Sequence, residues 1–156
     1  MAQERHFAMR WPELNASIEC KPLDYNHALY DWWLDRFPIK ARQDHALVSG
    51  ELMYALNVRV PQHLPVFKPG ELTTRLMTEA PVGFGRFGYN QRCGLTGGRI
   101  GAIVVIYGPL MEAIPAGYCF RVVEKDIEKL KEVGRRVWNA IYKTKEIIFV
   151  ELSVKK

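Results

Sequence analysis

Gly101-Ala102-Ile103-Val104-Val105-Ile106-Tyr107-Gly108 decides the fold. An unbroken apolar run between two turn-forming glycines is the pattern of a strand covered on both faces, so this segment is read as the centre of a sheet. Just upstream, Gly83, Gly85, Gly88, Gly94, Gly97 and Gly98 bring eight of the chain's twelve glycines into the span 83–108. Regular helix is excluded there. Phe84, Phe87 and Tyr89, interleaved with those glycines, suit short, bent strands or a long structured loop on a barrel.

Further out, Ala16, Ile18 and Cys20 alternate with polar neighbours and Pro22 ends them, which marks a strand. Asp24 is placed to cap a helix running to about Arg36, with Ala28, Leu29, Trp32 and Trp33 as its apolar stripe and Pro38 as its stop. The span 45–60 reads as two strand pieces hinged at Gly50. Pro61, Pro65 and Pro69-Gly70 mark a loop before a strand over Leu72, Thr74 and Leu76. Residues 118–123 form another strand. Ile127, Leu130, Gly134, Val137 and Ile141 then recur at steps of three and four as a second helix, with Trp138 expected to pack beneath the sheet and Gly134 to allow close approach. Residues 146–154 close the chain as a β-branched strand. The whole, residues 1–156, is expected to be one mainly β domain: a closed barrel of about eight strands capped by two helices, with 1–14 as an N-terminal extension.

A chain of 156 residues, 48% hydrophobic and 25% charged, is long enough to bury one core without staples. No apolar run reaches the roughly 18 residues of a membrane span, and residues 1–10 carry no hydrophobic signal region, so a cytoplasmic protein is expected. Cys20, Cys93 and Cys119 are odd in number and widely spaced, as free thiols are. The net charge of +5 is concentrated: Arg75, Arg86, Arg92 and Arg99 share their stretch with one carboxylate, Glu79.

A series of landmarks carries a family resemblance. Pro22-Leu23-Asp24, a Trp-bearing helix ending at Phe37-Pro38, His45-Ala46 with Ser49-Gly50-Glu51, and Pro69-Gly70-Glu71-Leu72 occur in order. Tyr107-Gly108, Ile114-Pro115-Ala116-Gly117, Arg121-Val122-Val123-Glu124, Gly134-Arg135-Arg136-Val137-Trp138 and Ile147-Ile148-Phe149 follow. From about residue 15 to 152 the chain resembles a family of small bacterial barrels with a cyclophilin-like fold. Where that family carries an aromatic residue between the His-Ala and Ser-Gly-Glu pieces, this chain has Leu47 and Val48. The resemblance extends to the smallest subunits of ATP-dependent hydantoinase and ketone (acetophenone) carboxylase type enzymes. It implies a noncatalytic accessory subunit whose partners are larger proteins of a multi-subunit complex. A free-standing barrel that binds a small ligand is the alternative.

Other site chemistries find little footing. The Phe-His-Arg-Val-Ile segment that carries prolyl isomerase activity in true cyclophilins is absent, which leaves Arg86 with Phe87 as the nearest combination, and fold alone does not confer activity. Gly83, Gly85 and Gly88 satisfy G-x-G-x-x-G, but Tyr89 to Thr96 offers no helix to receive a pyrophosphate. Arg86-Phe87-Gly88-Tyr89 could stack bases, although bent strands explain the same letters and RNA is not the expected partner. His6, His27, His45 and His63 form no zinc pattern with the cysteines, and Ser49 sits in no nucleophile elbow. No catalytic residue, metal or cofactor is therefore assigned. His45 and Glu51 flank the Gly50 hinge and could be aimed together into a barrel mouth, where Arg86, Tyr89 and Tyr107 would bind a small anion by charge-assisted hydrogen bonds. Trp11, Trp32, Trp33, Phe84 and Phe87 are the aromatic residues expected at a protein interface.

Overall fold

The computed structural model describes residues 4–59, 71–88 and 100–156. Eight strands close into an antiparallel barrel: β1 (Phe7–Trp11), β2 (Ala16–Pro22), β3 (Ile39–His45), β4 (Gly50–Arg59), β6 (Phe84–Phe87), β7 (Ile100–Leu110), β9 (Phe120–Val122) and β10 (Ile148–Val154). Their order around the wall is β1-β10-β3-β4-β7-β6-β9-β2, with β2 returning to β1. Two-residue strands β5 (Arg75–Leu76) and β8 (Pro115–Ala116) pair as a separate ribbon. The helices are α1 (His27–Leu34) and α2 (Ile127–Asn139), the latter running into a π-helical turn over Ala140–Thr144.

The apolar run that opened the reading is the middle of β7, between β4 and β6, and Ile103 to Tyr107 are all buried. Alternation explains why both faces are covered. Ile103, Val105 and Tyr107 join the main core with Phe7, Met9, Trp11 and Phe120. Val104 and Ile106 point outward into a second cluster with Leu23, Leu52, Met77, Ala116 and Tyr118, to which the ribbon contributes. β7 is thus shared by two cores.

Residues 7–11 are not an extension. Phe7, Met9 and Trp11 alternate inward, and β1 pairs with both β10 and β2, so it is the strand that closes the barrel. β3 also hides in the sequence, because its inward positions Ala41, Gln43 and His45 include two polar side chains. Gln43 accepts a hydrogen bond from Trp11 Nε1 at 2.8 Å and donates to the carbonyls of Asp44 and Tyr54, which makes its burial tolerable.

The helices plug the barrel as expected, with shifts. α1 starts after Asn26, not Asp24, and its buried stripe is Leu29, Tyr30, Trp33 and Leu34, rotated from the expected one. Trp33 stacks on Phe87 with ring centroids 5.5 Å apart. α2 packs on β2, β3, β4 and β7 through Leu130, Val133, Gly134 and Val137. Trp138 is not beneath the barrel: one residue past Val137 it turns roughly 100° off the buried stripe and is 37% exposed. The strand expected over Leu72 to Leu76 is shorter, only β5.

Candidate functional site

β3 ends at His45 and β4 begins at Gly50, so Ala46 to Ser49 turn between them. The strand piece expected just before Gly50 is this turn, and Gly50 closes it at the start of β4. Its φ of +110° and a virtual Cβ only 2.4 Å from the Pro109 carbonyl oxygen both demand glycine. The turn is clasped to the chain after β7, because Met111 N–H donates to the Ser49 carbonyl at 2.9 Å and the Ser49 hydroxyl donates to Glu112 at 2.8 Å. Ser49 therefore fastens a loop.

His45 and Tyr107 meet under this turn. The His45 Nδ1 lies 2.6 Å from the Ala46 carbonyl, which can only accept, so Nδ1 carries the proton. Nε2 is then free to accept the Tyr107 hydroxyl hydrogen at 2.6 Å. Burial pushes the His45 pKa below its usual value, against the opposing influence of the Ala46 carbonyl and the carboxylates of Glu51 and Asp44. Burial, with Glu51 nearby, pushes Tyr107 up to about 12. The pair is a neutral imidazole holding a protonated phenol, and Tyr142 secures it by donating to the His45 carbonyl at 2.7 Å. His45 is thus a positioning residue. Both of its nitrogens are used within the fold.

A cleft of about 470 Å³ opens beside this pair, between the β3–β4 turn and α2. Glu51, Tyr107, Arg135, Trp138 and Lys143 line it. Glu51 comes from the strand wall, where its side chain lies over Gly108. Arg135, Trp138 and Lys143 come from α2 and its π-helical turn, with the Lys143 ammonium 5.4 Å from the Trp138 ring centroid. Among the described residues Glu51, Arg135 and Lys143 make no ion pair or hydrogen bond. Three charged groups are thus left unpaired around one aromatic plate.

Of the expected site residues, the structure brings together His45, Glu51 and Tyr107. Arg86 is elsewhere: it pairs in register with Val104 and shares that residue's outward face, on the far side of the wall from Tyr107. Tyr89 lies outside the described residues, as do Arg92, Arg99 and His63. The sequence reading missed Arg135, Trp138 and Lys143. Their signal was the helical spacing of 135 and 138 beside the buried stripe, which places them on one flank of α2.

The expected interface aromatics divide as well. Trp11, Trp33 and Phe87 are fully interior and present no surface to a partner. Trp32 is part-buried under the Arg36 guanidinium, 3.3 Å from its ring centroid. Phe84 is part-buried in the outer cluster, edge-on to Tyr118. Among the described residues no His, Cys, Asp or Glu side chains gather as a metal-binding group, and no helix is long and apolar enough to cross a membrane.

The site and wall belong to a closed, eight-stranded antiparallel barrel with helix-capped ends. This barrel is similar to a solved structure of McbB in complex with tryptophan, with a TM-score of 0.75 and 28% identity. The likeness covers 94% of this chain and 44% of that one, so the chain spans less than half the length of its neighbour. No family model matches the chain, and no curated protein matches it either. The resemblance to small subunits of carboxylase and hydantoinase complexes rests on the sequence landmarks alone.

Proposed function

We propose that this protein is a small-ligand-binding barrel whose cleft beside α2 takes a zwitterionic molecule with an apolar side chain, of the amino-acid class. The observation that carries this reading is the placement of unpaired Glu51 on one wall and unpaired Arg135 and Lys143 on the other, around exposed Trp138. Glu51 suits an ammonium group. Arg135 and Lys143 suit a carboxylate, by hydrogen bonds that are stronger for being charged. The Trp138 face and the Leu47 side chain receive the apolar part. Tyr107 gives its hydrogen to His45 and so turns an oxygen lone pair toward a ligand donor. The likeness to McbB, which binds tryptophan, supports the ligand class.

Calorimetric titration with L-tryptophan tests the proposal. Binding is expected, and Glu51→Gln and Arg135→Gln should each weaken it about tenfold, or about 1.4 kcal/mol. Circular dichroism should show both variants folded. The reading fails if neither substitution changes affinity, or if no amino acid binds.

The accessory-subunit reading keeps one observation in its favour. Leu47, Val48 and Met111 are 75%, 74% and 77% exposed at the clasped corner beside the cleft, a bare aliphatic patch of the kind subunit contacts cover. Val48→Ser with Met111→Ser, two residues that do not line the cleft, should then abolish co-purification with a larger protein while leaving tryptophan binding intact.

A further inference from the structure

The outer face of the barrel holds two buried polar atoms with nothing to bond. Arg86 Nε and the Tyr118 hydroxyl are both shielded from solvent, and neither has a hydrogen-bond partner among the described residues. Tyr118 is 1% exposed. An unpaired buried donor forfeits roughly 1–3 kcal/mol, so two in one neighbourhood call for an explanation.

Their chemistry fixes what is missing. An arginine Nε can only donate. Burial pushes the Tyr118 pKa up to about 12, with the Arg86 charge close enough to oppose the shift, so the phenol keeps its hydrogen at neutral pH. The Tyr118 carbonyl is already taken, accepting from Asn26 Nδ2 at 2.7 Å. Two donors on one face therefore await an acceptor, and the positive charge of Arg86 selects a negative one. No described carboxylate pairs with Arg86. Arg75 is stationed over the Phe84 ring at 5.5 Å, and Arg121 pairs in register with Phe84 on the same face. One guanidinium and one neutral phenol match a singly charged group better than a phosphate dianion. The surroundings are apolar and aromatic: Tyr25, Tyr54 and Phe84 are part-buried beside Val104, Met77 and Tyr118.

We infer that Arg86 Nε and the Tyr118 hydroxyl form a second binding site, on the outer face of β6 and the β8–β9 segment, for the carboxylate of a molecule with an apolar or aromatic body. The site is independent of the cleft beside α2, from which β7 separates it.

Benzoate, acetate and inorganic phosphate are the probes, each titrated into the full chain by calorimetry. Benzoate should bind, and acetate should bind at least tenfold more weakly for want of a ring. Arg86→Gln should weaken benzoate at least tenfold and Tyr118→Phe severalfold. Tyr118→Phe also removes a buried hydroxyl that is unpaired in the free protein, so its ligand-free melting temperature should equal or exceed the parent's. That second readout separates loss of binding from loss of fold. The inference is overturned if none of the three probes binds, if benzoate binding survives both outer-face substitutions, or if phosphate binds more tightly than benzoate. It is equally overturned if a crystal grown with benzoate shows only a water bridging the two atoms.

Discussion

Gly134 and Trp138 lie one turn apart on α2 and illustrate how single positions divide the site from the core. A Cβ on Gly134 would sit 2.4 Å from Tyr107 Cδ1, and Tyr107 cannot yield because its hydroxyl is tied to His45. Gly134→Ala gains up to about 1 kcal/mol in helix propensity. Overpacking costs about 1–3 kcal/mol and should outweigh that, giving a net loss of up to about 2 kcal/mol in urea unfolding. Trp138→Ala should cost less than about 1 kcal/mol, since the side chain lies off the buried stripe. The glycine's role was legible from its place in the apolar stripe; the tryptophan's was not, because aromatic character suggests burial and only the helical angle denies it. His45 gives a third expectation at this scale. Its folded pKa lies below the usual 6.5, so the unfolded chain takes up its proton first as pH falls. Stability should therefore decline as pH drops below about 6.5, and His45→Gln should flatten that limb of the profile. A profile unchanged in the variant would show that His45 is not the group responsible.

At the level of elements, legibility followed the letters on the buried face. β7 and β10 show β-branched runs and α2 a clean three-and-four stripe, so each was evident. β3, Ile39–His45, was hidden because Arg42, Gln43 and Asp44 make an unbroken polar run with no apolar alternation, and only the pairing of Trp11 with Gln43 makes the burial sensible. β1 was hidden by its position near the start of the chain. What ties β1 to its two neighbours is a charged seam on the barrel surface. Glu19 on β2 bonds Lys155 just past β10 at 2.6 Å and His6 just before β1 at 2.6 Å, while Lys125 stands 3.4 Å away. These contacts, with the Lys155 bond foremost, hold the Glu19 carboxyl at about 2 against an ordinary 4.5. The group is ionised more readily when folded, so its contribution is complete above about pH 4.5 and disappears as pH falls toward 2. Glu19→Gln should remove that acid-sensitive limb in unfolding experiments run from pH 5 to 2. Persistence of the limb would assign it to other carboxylates.

For the whole molecule, the sequence pattern announced a barrel, while the site emerged only from closure. Val104 and Tyr107 are three residues apart on β7, yet they belong to opposite sides of the wall, and a linear reading placed Arg86 and Tyr107 in one mouth. The alternation of a strand separates what proximity in sequence joins. Closure also depends on the segment that resembled a dispensable extension. Without β1, β2 and β10 would each present an unpaired edge, and the core would lose Phe7, Met9 and Trp11, all fully buried. Truncating one buried Phe or Trp typically costs about 3–5 kcal/mol, and the stability of a domain this size is commonly about 5–15 kcal/mol in total. Losing three such side chains together with two ladders of hydrogen bonds therefore exceeds what the barrel can absorb. A chain lacking residues 1–12 should show no cooperative thermal transition and should aggregate through its open edges. If it instead melts cooperatively within a few degrees of the full chain, β1 is not the strand that closes the barrel.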